Sequence, residues 1–153
     1  MRVTTFLAAA LIAFLLSMPA LAAGADDALL APIHQFIDGV NKGDIKAAAA
    51  AHVAAPAILD EVAPHSWQGE GAVDKWAASF GAEMQQDGIT DAKLAIKKPS
   101  QLQHEGDAAY VVVPTIYSFK QKGKKAAENG YLTFALAQQG SDWKIASWTW
   151  TRR

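Results

Sequence analysis

The chain has 153 residues, a formal net charge of −1, no cysteine and 51% hydrophobic residues. That length fits one domain. The near-neutral balance supplies no basic face for nucleic acid, and zero cysteines exclude disulfides, thiolate metal sites and thiol nucleophiles together.

Residues 1–25 read as an address. Arg2 gives a short positive start, Phe6 to Leu16 is an uncharged apolar run, and Ser17-Met18-Pro19 breaks it. Small residues follow from Ala20 to Ala25. This is the layout of a secretory signal peptide, with cleavage after Ala22 or Ala25. The apolar stretch from Val3 to Leu16 is shorter than the roughly 20 residues that span a bilayer, so no stable membrane anchor is expected after cleavage. The expectation is a periplasmic or secreted protein with a single domain over residues 26–153.

Leu29, Leu30, Ile33, Phe36, Ile37 and Val40 form one apolar stripe at helical period. Asp26 or Asp27 is placed to cap its start, and Asn41-Lys42-Gly43 to end it. Asp44 then caps a second helix, predicted from Ile45 to about His52 and stopped by Pro56. Ala57 to Val62 reads as a short strand, followed by a loop holding Pro64, His65, Ser66 and Trp67. Gly69-Glu70-Gly71 opens a third helix with the stripe Val73, Trp76, Ala77, Phe80 and Met84, closed by Gly88.

Beyond Gly88 the pattern is that of strands. Ala92 to Lys98 alternates, Glu105-Gly106-Asp107 signals a turn, and Tyr110 to Phe119 is rich in β-branched and aromatic residues. Pro114 inside that run predicts a bulge or an unpaired edge segment. Lys120 to Gly130 reads as a polar hairpin loop, Tyr131 to Gln138 as the next strand, and Trp143 to Thr151 as the last. The basic tip of that loop, Lys120, Lys122, Lys124 and Lys125, reads as a solvated turn that discourages edge pairing. Helices followed by strands make an α+β domain.

Three segments carry a family resemblance: Phe36–His52 (FIDGVNKGDIKAAAAAH), Ile58–Phe80 with WQGEGAVDKWAASF at its end, and DWKIASWTW (Asp142–Trp150). Together they resemble the nuclear transport factor 2-like superfamily, which includes ketosteroid isomerases and SnoaL-like cyclases. The resemblance implies three N-terminal helices packed on a curved antiparallel sheet, a cone with a pocket at its wide end, and dimers through the outer sheet face. It implies fold far more than activity, because such folds host many functions.

The resemblance places a catalytic base at Asp60. It places the two oxyanion donors of ketosteroid isomerases at Phe36 and approximately at Phe134, where neither side chain can donate. Losing one such donor typically costs about 10²–10³ in rate, which argues against steroid isomerase chemistry. His65 is the candidate partner of Asp60 in an acid–base dyad; an exposed acid and an exposed loop histidine are the plainer readings. His34, His52, His65 and His104 share no metal-ligand spacing, and no phosphate or dinucleotide motif is present, so neither metal nor cofactor is expected.

Phe36, Trp67, Trp76, Phe80, Tyr110, Phe134 and Trp143 are candidates to line the cone, although the same spacing also serves a core. Alternation along the last strand directs Trp143, Ile145, Ser147 and Thr149 inward, making Ser147 a pocket candidate. It leaves Trp148 and Trp150 outward, as an apolar dimer face. Two functions follow, and the missing donors at Phe36 and Phe134 favour the first. One is non-catalytic binding of a small apolar or amphipathic molecule, or of a partner chain. The other is a small acid–base enzyme using Asp60.

Overall fold

The computed structural model describes residues 20–153. Most of the expected leader therefore lies outside the described residues, and both cleavage positions fall near the start of the first helix. That helix, α1, runs Ala20–Lys42 and contains Pro32. It begins earlier than the apolar stripe suggested, so Asp26 and Asp27 lie inside it rather than capping it. Its stripe buries Leu29, Ile33, Phe36 and Ile37. Among the described residues no helix is long and apolar enough to cross a membrane.

Helix α2 is short, Ile45–Ala50, and is capped as its sequence predicts, with the Asp44 carboxylate accepting from Ala47 N–H at 3.0 Å. The Ala run lets it lie close to α1. A Cβ on Gly39 would meet the Ala48 backbone nitrogen at 2.7 Å. Strand β1 (His52–Leu59) starts directly afterwards, so His52 begins a strand instead of ending a helix. Pro56 does not stop a helix. It lies where the pairing of β1 slips, between the partners His52 and Ala57. The hairpin strand β2 (Ser66–Gln68) precedes α3 (Ala72–Asp87), whose C-terminus closes on left-handed Gly88.

The remaining strands are β3 (Ile89–Ile96), β4 (Gln101–Glu105), β5 (Ala108–Gln121), β6 (Lys124–Gln139) and β7 (Asp142–Arg152). They join β1 and β2 in one sheet of order β2-β1-β7-β6-β5-β3, with β4 also paired to β5. The expected antiparallel sheet is in fact mixed: β1 runs parallel to β7 and every other pair is antiparallel.

The predicted loop over Lys120–Gly130 is mostly strand. Only Lys122 and Gly123 turn, both at positive φ, as a two-residue hairpin of that hand requires. Pro114 sits inside β5, facing Tyr131 of β6 in an unbroken register. Its carbonyl accepts from Lys97 N–H at 2.9 Å, so its nitrogen points to the same side, where β4 gives way to β3. The missing donor therefore falls at a break in the ladder.

The side chain of Asn41 fastens α1 to β3. It donates to the Leu94 carbonyl and accepts from Leu94 N–H, each at 2.8 Å. The helices cover one sheet face. Along β5, Ala109, Val111, Val113 and Thr115 are buried on that face, and along β6 Leu132, Phe134 and Leu136.

Candidate active site

Strand β7 sets the site through one extra residue. Ala135 of β6 pairs with Ser147, yet Leu136 pairs with Ile145, which leaves Ala146 as a bulge. A bulge reverses the alternation beyond it. Ile145 faces the core as expected, but from there the inward positions become Trp148, Trp150 and Arg152. Trp148 is only 2% exposed. The outward dimer face assigned to Trp148 and Trp150 is thus absent, and Ser147 does not line the cavity. Room for Trp150 comes from Gly130 on β6, where a Cβ would approach the indole to 2.5 Å.

Inward Trp148 joins an aromatic group built from three elements. Its ring lies 4.9 Å from Trp76 of α3, edge to face, and 5.2 Å from Phe36 of α1. Trp76 in turn stacks on Phe80 at 5.4 Å, and Phe80 approaches Tyr117 of β5 at 6.0 Å. These rings wall a cavity of about 370 Å³ between α3 and the sheet. Phe36, Trp76 and Phe80 line it. Among the other candidates, Phe134 is fully buried in the core beside Phe36, and Trp67 is buried opposite Ile58. Trp143 is half-buried outside this cavity, and Tyr110 is 44% exposed because it alternates with buried Ala109 and Val111.

Asp60, just past the end of β1, lines the same cavity. Its Oδ2 accepts from Trp76 Nε1 at 2.7 Å, while Oδ1 has one long contact, 3.4 Å from Val62 N–H. Burial pushes the carboxyl above its ordinary value, against the pull of the Trp76 indole. The dyad with His65 does not form through side chains. His65 Nδ1 is 3.3 Å from the Asp60 backbone carbonyl, and the ring is exposed. The carboxylate's partner is an indole N–H.

Two residues that line the cavity each hold a buried donor with no hydrogen-bond partner among the described residues: Tyr117 Oη and Trp148 Nε1. Leaving such a group buried and unpaired costs about 1–3 kcal/mol. The Tyr117 hydroxyl is pushed up to about 12, mainly by burial and then by Glu128, Glu83 and Asp60, so at neutral pH it keeps its proton and remains a donor. Sequence reasoning missed both, because the bulge hid the orientation of Trp148, and Tyr117 was read only as part of a strand.

The rim is acidic. Glu61, Glu83, Asp87 and Glu128 line it with one cation, Arg152. Arg152 donates through Nε and Nη2 to Glu61 Oε2, at 3.1 and 2.5 Å, and its Nη1 lies 3.4 Å from Glu128. Glu83 and Asp87 were missed too, though they had a signal. They extend the Trp76–Phe80 face of α3 at helical spacing. Among the described residues no group of three or more acids and histidines is placed to hold a metal ion.

No protein-family model and no curated protein matches the chain, but solved structures do. A nuclear transport factor 2-like protein with a cystatin-like fold from Novosphingobium aromaticivorans is 12% identical, over 90% of this chain and 90% of that one, with a TM-score of 0.69. The chain has the nuclear transport factor 2-like fold. A ketosteroid isomerase-like protein from Erwinia carotovora atroseptica is 17% identical over 82% of this chain and 94% of its own, with a TM-score of 0.64. A hexachlorocyclohexane dehydrochlorinase from Novosphingobium barchaimii is 10% identical over 86% and 88%, with a TM-score of 0.72. At such identities the likeness is one of fold. Within this nuclear transport factor 2-like cone the donor positions implied by ketosteroid isomerases, Phe36 and Phe134, are buried and apolar. The unpaired donors stand elsewhere, on β5 and β7.

Proposed function

We propose that the cavity is the active site of a small acid–base enzyme, in which Asp60 removes a proton from carbon in a small molecule with a mostly apolar body. The observation that carries this reading is the placement of the Asp60 carboxylate in the aromatic cavity. One oxygen is fixed by Trp76 and the other is lightly engaged. A base needs that combination of fixed orientation and a free lone pair. Its raised pKa, caused mainly by burial, makes it a better proton acceptor than an ordinary carboxylate. As the C–H bond breaks, its electron pair moves into the substrate and the proton goes to Asp60. The dehydrochlorinase and isomerase-like neighbours support a fold in which such chemistry is at home.

A second reading, binding without turnover, is favoured by the apolar residues at both implied donor positions. Hydrogen exchange separates the two. 2-Indanone is a flat, uncharged carbon acid of suitable size. The protein should accelerate exchange of its α-protons in D₂O, and Asp60→Asn should lower that acceleration by about 10²-fold or more, the usual worth of a general base. Binding of 2-indanone without faster exchange would leave a carrier. We place either activity outside the cytoplasm, on the strength of the leader pattern in residues 1–25.

A further inference from the structure

Asp60 heads a tight turn between β1 and β2. Its N–H donates to the His65 carbonyl at 3.1 Å, and the His65 N–H donates to the Val62 carbonyl at 2.8 Å. The same turn brings the Val62 N–H to 3.4 Å from Asp60 Oδ1. The lie of that oxygen therefore depends on how residues 61 and 62 are held. Val62 is held from within, since its side chain is buried and lines the cavity. Glu61 is held from without, by Arg152.

Arg152 is the one cation among the described residues that line the cavity. The bulge at Ala146 turns it inward on β7, and its backbone is paired with Gly130 of β6. Its guanidinium then reaches two other segments. Nε and Nη2 donate to Glu61 Oε2, and Nη1 lies 3.4 Å from Glu128 of β6. The side chains of Arg152 and Glu61 are 55% and 41% exposed, so the pair contributes little to stability. What a rigid fork does well is fix geometry, and this one ties the turn to β6 and β7. It also offsets a charge. Burial is the main reason the Asp60 carboxyl lies above its ordinary value, and the Glu61 carboxylate adds to it, against the N–H groups of Trp76, Val62 and Glu61. The other ionised groups lining the cavity, Glu83 and Asp87 of α3 and Glu128 of β6, have the sign of Glu61.

We propose that Arg152 is a positioning residue for the base: by gripping Glu61 and Glu128 it holds the turn so that Asp60 meets the substrate in one orientation, and it neutralises the acid beside it. This inference rests on the acid–base reading. It gives the carboxyl a second anchor, at the turn, to set beside the grip of Trp76 on Oδ2.

Exchange of 2-indanone, followed as kcat and KM against pH, tests it in the wild type, Arg152→Gln, Arg152→Lys and Glu61→Gln. Arg152→Gln and Glu61→Gln break the same pair, so both should lower kcat about tenfold and leave KM nearly unchanged; a displacement of about 1 Å is worth about 10²-fold. Their pH midpoints should move apart. Losing the cation should raise the midpoint by about half a pH unit, the worth of one charge screened by water, and losing the acid should lower it by about as much. A merely structural role would not split the midpoints. Arg152→Lys, which keeps the charge without the fork, should hold the wild-type midpoint and recover only part of kcat. Wild-type kcat in both glutamine variants, midpoints that do not separate, or a loss confined to KM overturns the inference and leaves the acid–base reading standing. If the wild type does not speed exchange, the acid–base reading itself fails, and the inference goes with it.

Discussion

His52 shows how much one buried group contributes to the pH response of the molecule. It is 6% exposed, donates through Nδ1 to the Ala48 carbonyl at 2.9 Å, and sets its ring edge against Phe36 at 5.1 Å. Its Nε2 is buried without a partner among the described residues. Burial lowers its pKa from 6.5 to about 4. The unfolded chain therefore takes a proton on this residue at a higher pH than the folded one does. Stability is unaffected above the unfolded value and falls as pH drops from about 6.5 to about 4, by roughly 3 kcal/mol in total. His52→Gln should remove that part of the acid sensitivity, which denaturant melts near pH 7 and near pH 4.5 would read as a smaller difference than in the wild type. Asp60 has the opposite sign. Its raised pKa means that ionisation costs the folded state, so its contribution is present at low pH and is lost as pH rises through the folded value. Neither shift was legible in the sequence. Asp60 was picked out by resemblance, but its burial and its indole partner depend on where α3 lies. His52 looked like the end of a helix because the Ala run before it carries no stop signal.

Among the elements, β7 governs the site. The α-helical stripes of α1 and α3 were readable because period and burial agree over many residues; Gly88 closes α3 through its backbone, and Asp44 opens α2 through its side chain. The run Trp143–Trp150 was misread at its second half. A bulge at Ala146 is fixed by pairing with β6, and alanine gives no local sign of it. One inserted residue moved two tryptophans from an imagined outer face into the cavity. Strand β4 was also unpredicted, because Gln101-Leu102-Gln103-His104-Glu105 is too polar to stand out from a loop. The element-scale prediction concerns Gly130. A methyl group there would approach the Thr151 carbonyl to 2.6 Å and Trp150 to 2.5 Å. Gly130→Ala should cost about 1–3 kcal/mol in denaturant melts, as overpacking does, and should weaken 2-indanone binding by displacing Trp150. Unchanged stability would show that the ring moves freely and does not wall the cavity.

For the whole molecule, a domain without disulfides holds itself by burial on one side of its sheet. The other side carries Tyr110, Val112, Ile116 and Tyr131, opposite in alternation to the buried rows. With Trp148 and Trp150 turned inward, this row is where we propose that a second copy docks. Ile116→Asp should then convert a dimer to a monomer in light scattering; a wild-type monomer at the same concentration would refute the proposal. Export makes its own demand. N-terminal sequencing of the protein recovered from outside the cytoplasm should begin at Ala23 or Asp26, and an intact Met1 there would contradict cleavage. The central proposal remains chemical: Asp60, which lines the cavity between α3 and the sheet, acts there as a base. The most direct measurement is the rate of 2-indanone α-proton exchange against pH, for wild type and Asp60→Asn. The account predicts a rate that rises with pH through one ionisation above the ordinary aspartate value of about 3.9, and that collapses to the buffer rate in the variant. Equal rates in the two proteins at every pH would contradict it.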